Sequence, residues 1–176
     1  MLGIALRIIA MRIKLVFGVI LTALVALMPI AQAYDWQSHY NGDPHYPMVW
    51  GHTQTAKYID KTSLNVQKYD PPYYVIAVAV FYAPDGGYGT MNAYHVERFY
   101  YDIDCREMYY DKHPGNGDWI YVHPTYSFTE NGERRDTGEA AFYIAYRMKF
   151  YGARKWKNDY NDEYSDVFSN DFYDKL

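Results

Sequence analysis

The sequence predicts an α+β domain, an antiparallel β-sheet of about five or six strands with one C-terminal helix packed across a face. Three observations carry this prediction. Residues 73–83 (YYVIAVAVFYA) form an uninterrupted β-branched and aromatic run closed by Asp85-Gly86-Gly87, which reads as a strand buried on both faces. Shorter runs of the same kind recur between turn signals on either side of it. The stretch GEAAFYIAYRMKFYG (residues 138–152) is the one place where apolar residues follow helical spacing.

In chain order, the first element is a leader. Arg7, Arg12 and Lys14 precede the uncharged run Leu15–Met28, then Pro29 and the triplet Ala31-Gln32-Ala33. A basic head, a short apolar middle and an A-x-A end are the parts of a secretory signal peptide, so residues 1–33 are expected to be removed and the protein exported, to the periplasm, the cell surface or the medium. The competing reading is a retained membrane anchor, for which the apolar run is at the lower limit of length. Met11 restarts the pattern and is an alternative start codon. Residues 34–47 (YDWQSHYNGDPHYP) are polar and rich in breakers, and are expected to form a flexible lead-in to a domain at 48–153.

Within that domain, residues 48–50 and 56–60 predict a short strand pair or one bulged strand. In the strand at 73–83, Val75, Ala77, Ala79 and Phe81 share one face while Ile76, Val78, Val80 and Tyr82 share the other. Residues 90–104 predict a long strand or a strand with a bulge, and residues 105–111 either its continuation or the next strand, followed by a turn at His113-Pro114-Gly115-Asn116-Gly117. Residues 119–123 predict the last strand, stopped by Pro124. Asn131-Gly132 is expected in a loop before the helix. For that helix Thr137 is the expected cap, Glu139 suits the positive N-terminal end, and Gly152 is the expected stop. Ala141, Ile144, Ala145 and Met148 are its expected core stripe, flanked by Phe142, Tyr146 and Phe150. Residues 154–176 are acidic and aromatic, with Trp156, Tyr160, Tyr164 and Phe168 at four-residue spacing. They predict a tail or a short second helix.

Composition narrows the function. The formal net charge is −4 and the only charged residues of the leader are basic, so the processed chain is more acidic still. Coating nucleic acid or an anionic membrane is therefore disfavoured, and no stable membrane span is expected after cleavage. Cys105 is the only cysteine. It cannot close an intramolecular bridge, it leaves no N-terminal cysteine for a lipid anchor, and it offers at most a homodimer link. All 22 tyrosines lie beyond the leader. They suit either the covering of a half-buried sheet or an aromatic contact face.

No constellation predicts catalysis. His39, Asp43, His45 and His52 are a dense set of potential metal ligands, but their spacing matches no rigid motif. Asp159, Asn161 and Glu163 alternate like calcium ligands, yet Tyr164 stands where a calcium loop needs glycine and Asn170 where it needs glutamate. Cys105 lacks a glycine-lined turn after it, and Asp104 raises its pKa while Arg106 opposes. Asp85-Gly86-Gly87-Tyr88-Gly89 lacks the Lys-Ser/Thr of a phosphate loop. No enzyme activity, metal or cofactor is expected.

Trp50, the segment Tyr58-Ile59-Asp60 with Ser63-Leu64, the long apolar strand, Asp104-Cys105-Arg106, and Tyr110-Asp111 ahead of a glycine turn and Trp119 together resemble the surface-adhesin protein E family of Gram-negative bacteria. The resemblance spans residues 48–151. It implies a small exported domain with a helix across an antiparallel sheet, and a role in binding at the envelope. The family's second cysteine and lipid anchor are missing here. The expected function is thus a non-enzymatic envelope protein that binds a protein or glycan. Tyr100, Tyr101, Tyr109, Tyr110 and Trp119 are the candidate binding residues. The alternative is a structural, self-associating envelope component.

Overall fold

The computed structural model describes residues 36–125, 130–158 and 161–176; the expected leader, Asp159 and Tyr160 lie outside them. Six strands form one curled antiparallel sheet in sequential order: β1 (Met48–His52), β2 (Thr55–Asp70), β3 (Tyr73–Ala83), β4 (His95–Asp102), β5 (Glu107–Asp111) and β6 (Trp119–Val122). Helix α1 (Glu130–Tyr146) packs across it. The fold class is therefore α+β, as the sequence predicts. The chain closes with a small hairpin, β7 (Trp156–Lys157) and β8 (Tyr164–Ser165), and the one-turn helix α2 (Asn170–Asp174). The described residues include no helix long and apolar enough to cross a membrane.

Strand β3 matches its predicted bounds because its residue types, the Pro71-Pro72 entry and the Asp-Gly-Gly exit all agree. Strand β1 turns into β2 through Thr53 and Gln54, both at positive φ (41° and 69°), the geometry that matches strand twist. Strand β2 runs ten residues beyond the expected Asp60 because it bulges instead of stopping. Between Asp60 and Asn65 the ladder is interrupted. There Asp60 accepts the Thr62 N–H and hydroxyl (2.9 and 2.6 Å), and the Ser63 hydroxyl accepts the Ala79 N–H (2.8 Å). The Y-I-D-x-x-S-L segment is thus a side-chain-satisfied β-bulge. The strand expected at 90–104 begins only at His95.

Alternation divides the sheet into two faces. Ile59, Tyr74, Ile76, Val78, Val80, Phe99, Tyr101, Met108 and Val122 face α1 and join Ala140, Ala141 and Phe142 in the main core. A smaller cluster, Ala56, Tyr58, Phe81 and Ala83, lies on the opposite face and is covered by Trp36, Tyr40, Tyr46 and Met48. Residues 36–47 are accordingly not a flexible lead-in. His39 pairs with Pro47 in a β-bridge, Tyr58 donates to the Gln37 carbonyl (3.0 Å), and the aromatic rings repay the ordering of a polar segment.

The helix departs from its expected range by eight residues at the front. Residues 130–137 show no apolar period, yet they are helical because polar side chains dock them: Glu133 meets Lys57, and the Arg134 guanidinium lies 4.3 Å from the Tyr110 ring. Thr137 is a mid-helix residue bonded back to the Glu133 carbonyl (2.8 Å), not a cap. The helix ends at Tyr146 and Arg147 after it adopts φ 55°, so Met148 falls beyond it and is exposed.

Gly138 marks the closest approach of helix and sheet. A Cβ there would overlap Met108 Sδ and sit 3.0 Å from Phe99 Cδ1. The Tyr101 hydroxyl donates to the Gly138 carbonyl (2.8 Å).

Glu139 is buried mid-helix. Its carboxylate accepts the N–H groups of Phe150 (2.8 Å), Tyr151 (2.7 Å) and Gly152 (3.3 Å) and the Tyr173 hydroxyl (2.7 Å). One side chain thereby ties the chain reversal after α1 and the C-terminal turn to the core. The last segment is an ordered part of the domain: Phe172, Tyr173 and Leu176 are buried. Trp156 and Tyr164, two members of the series spaced four apart, lie on the paired strands of a hairpin and not on one helix.

Candidate functional site

The face opposite α1 is covered at one end by residues 36–48. Toward its other end it carries a row of rings. Tyr100 stands across from Tyr109, and Tyr109 across from Tyr121, in the β4–β5–β6 register. Ring centroids step by 6.1 Å from Tyr73 to Tyr100, 5.7 Å from Tyr100 to Tyr109 and 5.6 Å from Tyr109 to Tyr121, with Trp119 5.8 Å from Tyr100. Cross-strand aromatic pairs of this kind stabilise a sheet and leave ring surface for contact.

Of the five candidate binding residues, the structure brings together Tyr100, Tyr109 and Trp119. With Asp102 and Glu107 they line a shallow depression of about 230 Å³. Tyr101 and Tyr110 belong to the other face, since neighbours in a strand point in opposite directions. Tyr101 is completely buried under α1, and Tyr110 packs on Phe99 and Arg134. Neither can join a contact surface with Tyr100.

The two charged side chains that line the depression, Asp102 and Glu107, are both acidic. Glu107 accepts the Tyr109 hydroxyl (2.7 Å), and this bond, with burial, pushes the Tyr109 phenol up to about 12. Burial first, then Asp102, raises Tyr100. Cys105, exposed in the β4–β5 turn, is raised chiefly by Asp102, with Glu107 and Asp104 adding to it. The sequence points to Asp104 alone, but the turn brings the Asp102 carboxylate within 3.1 Å of the Cys105 N–H.

Arg98 borders the row. Its guanidinium lies 4.9 Å from the Trp119 ring centre and donates to Asp111 Oδ2 (2.8 Å), while Nε donates to Gln67 (2.6 Å). Burial pushes the Asp111 carboxyl up, but Arg98 and the amides of Gly115, Gly117 and His113 outweigh it and hold the group below its usual range.

A second polar cluster lies on the α1 side and has no counterpart in the sequence reading. Lys57 is fully buried. Its Nζ donates to Glu97 Oε1 (2.7 Å) and Glu133 Oε1 (2.6 Å), and Glu133 also accepts the Tyr82 hydroxyl. His95 Nε2 lies 3.5 Å from Glu97, and Glu97 Oε2 has no hydrogen-bond partner. For Glu97 burial works upward, but Lys57 and His95 more than compensate and lower its pKa. The cluster links β2, β4 and α1. The sequence signal is faint, a lysine between Ala56 and Tyr58 in an otherwise apolar strand start.

The potential metal ligands do not converge. His39 Nε2 bonds the Lys175 carbonyl (3.0 Å), His45 Nδ1 pairs with Asp43 (2.8 Å), and His52 contacts Thr53. Among the described residues no three His, Cys, Asp or Glu side chains group to hold a metal ion. No family model, curated protein or solved structure matches the chain.

Proposed function

We propose that the protein is an exported, non-enzymatic binding protein of a Gram-negative-type envelope, and that it contacts a protein or glycan partner through the open aromatic face of its sheet. The observation that carries the reading is the convergence of Tyr100, Tyr109 and Trp119 on one surface, extended by the partly exposed Tyr73 and Tyr121. Rings already held by their neighbours lose little freedom on binding. The leader-like residues 1–33 support export, and the resemblance to surface-adhesin protein E supports a role at the envelope. The internal pairing of Lys57, Glu97 and Glu133 favours a structural part for that cluster over a reactive one.

The test is a glycan array and a panel of purified envelope proteins, probed with the wild type, a Tyr100→Ala/Tyr109→Ala variant and a Tyr88→Ala control. Tyr88 is exposed away from the row. The expected result is a partner retained by the wild type and the control and lost by the double variant. A partner bound equally by all three rejects the aromatic face, and intact N-termini on cytosolic protein reject export. Self-association through the exposed Cys105 is the alternative, and a reductant-sensitive dimer on size-exclusion chromatography favours it.

A further inference from the structure

We propose that the depression between Tyr100, Tyr109 and Trp119 binds an alkylammonium head group, a quaternary or heavily methylated nitrogen, with Asp102 and Glu107 supplying the counter-charge. The inference rests on the aromatic-face reading above and names the chemical class which that face selects.

Four observations point to this class. First, the sign of the lining: Asp102 and Glu107 are the two charged side chains that line the depression, and both act on the Tyr100 phenol beside them, so an anionic ligand is repelled and a cationic one drawn in. Second, the shape. The Tyr109 and Trp119 rings are tilted by 56° and 47° to the Tyr100 ring, giving angled walls instead of the coplanar platform on which a flat sugar surface stacks. A cation surrounded by ring faces gains from each quadrupole.

Third, both carboxylates already accept hydrogen bonds, Asp102 from the Cys105 N–H (3.1 Å) and Glu107 from the Tyr109 hydroxyl (2.7 Å). Part of their directional capacity is used while their full charge remains. A methylated ammonium needs charge and apolar surface but donates few or no hydrogen bonds, so it loses nothing there. A hydroxyl-rich ligand needs free acceptors. Fourth, Trp119 already holds a cation, the Arg98 guanidinium at 4.9 Å. The charge of Arg98 is matched by the buried Asp111 at 2.8 Å, so it does not cancel the negative field at the depression. A volume of about 230 Å³ accommodates a trimethylammonium group.

The experiment is an NMR titration of the intact processed protein with choline chloride, alongside 3,3-dimethylbutan-1-ol, its neutral isostere. The expected result is saturable shifts confined to the signals of Tyr100, Tyr109 and Trp119 with choline, weakened by added salt, and far weaker binding of the isostere. Trp119→Ala is expected to reduce affinity about tenfold, the scale of one desolvated cation–π contact. Because that variant also disturbs Arg98, Glu107→Gln provides a second, surface-confined variant, and it too should weaken choline while leaving the spectrum folded.

Equal binding of choline and the isostere overturns the proposal, as does the lack of any saturable choline shift, or a neutral oligosaccharide displacing choline from the same signals. If choline fails while an array partner still requires Tyr100 and Tyr109, only this inference falls. If neither depends on those rings, the aromatic-face reading falls with it.

Discussion

Replacing Lys57 with methionine tests the energetic logic of the core most directly. The side chain is fully buried, and its Nζ lies 2.7 Å from Glu97 and 2.6 Å from Glu133. Methionine keeps most of the length and none of the charge. Glu133 is partly exposed (17%) and can turn toward water. Glu97 is buried on β4, and one of its oxygens already lacks a partner. Removing one member of a buried pair costs about 3–5 kcal/mol, a large share of a typical domain's stability and on the order of 10 °C in melting temperature. Adding Glu97→Leu to Lys57→Met should recover much of that loss, since it removes the more deeply buried of the two carboxylates and leaves only Glu133, which still accepts the Tyr82 hydroxyl.

The pH dependence of the loss follows from Glu97. In the wild type its carboxyl lies below the ordinary 4.5, so its contribution is present above that value and lost as pH falls through the native pKa. Without Lys57, burial is opposed by His95 alone, so the native pKa of Glu97 is expected to rise. The deficit of Lys57→Met should therefore be widest near neutrality and narrow toward about pH 4. Urea unfolding followed by far-UV circular dichroism, at neutral pH and near pH 5, measures both. A loss below about 1 kcal/mol, or one equal at the two pH values, refutes the reasoning.

Other outcomes follow from the same structure. Gly138→Ala should destabilise by about 1–3 kcal/mol although alanine favours helices, because the added methyl meets Met108 and Phe99; a rise in melting temperature would contradict the close approach. Tyr101→Ala should cost about 3–5 kcal/mol as a core deletion, whereas its neighbour Tyr100→Ala should leave the fold intact, a contrast visible by thermal melting. Glu139→Gln should cost about 1–3 kcal/mol, because an amide places a donor against an N–H donor of the 150–152 reversal. Finally, burial raises Asp136 to about 6 from the ordinary 3.8. Its share of stability is full below 3.8 and lost as pH rises through about 6, while Glu97 and Asp111 lose theirs in acid. A melting-temperature profile peaking on the acid side of neutrality is expected, and a steady rise from pH 5 to 8 would oppose it.

The sequence alone determined the α+β class, strand β3 to the residue, the turns after it and before β6, and the presence of one apolar helix. These are local matters, since β-branched runs, prolines and glycines restrict the backbone wherever they occur. Tertiary structure decided the rest. Residues 130–137 are helical through Glu133 and Arg134, whose partners lie in distant strands. Residues 36–47 are ordered because the outer face of β3 needs a cover. The candidate site divides in the same way. That tyrosines cluster along β4 and β5 is written in the chain, but alternation sends Tyr100 and Tyr109 to one face and Tyr101 and Tyr110 to the other. Which face α1 would bury depends on strand pairing and helix docking, long-range contacts that no local pattern encodes.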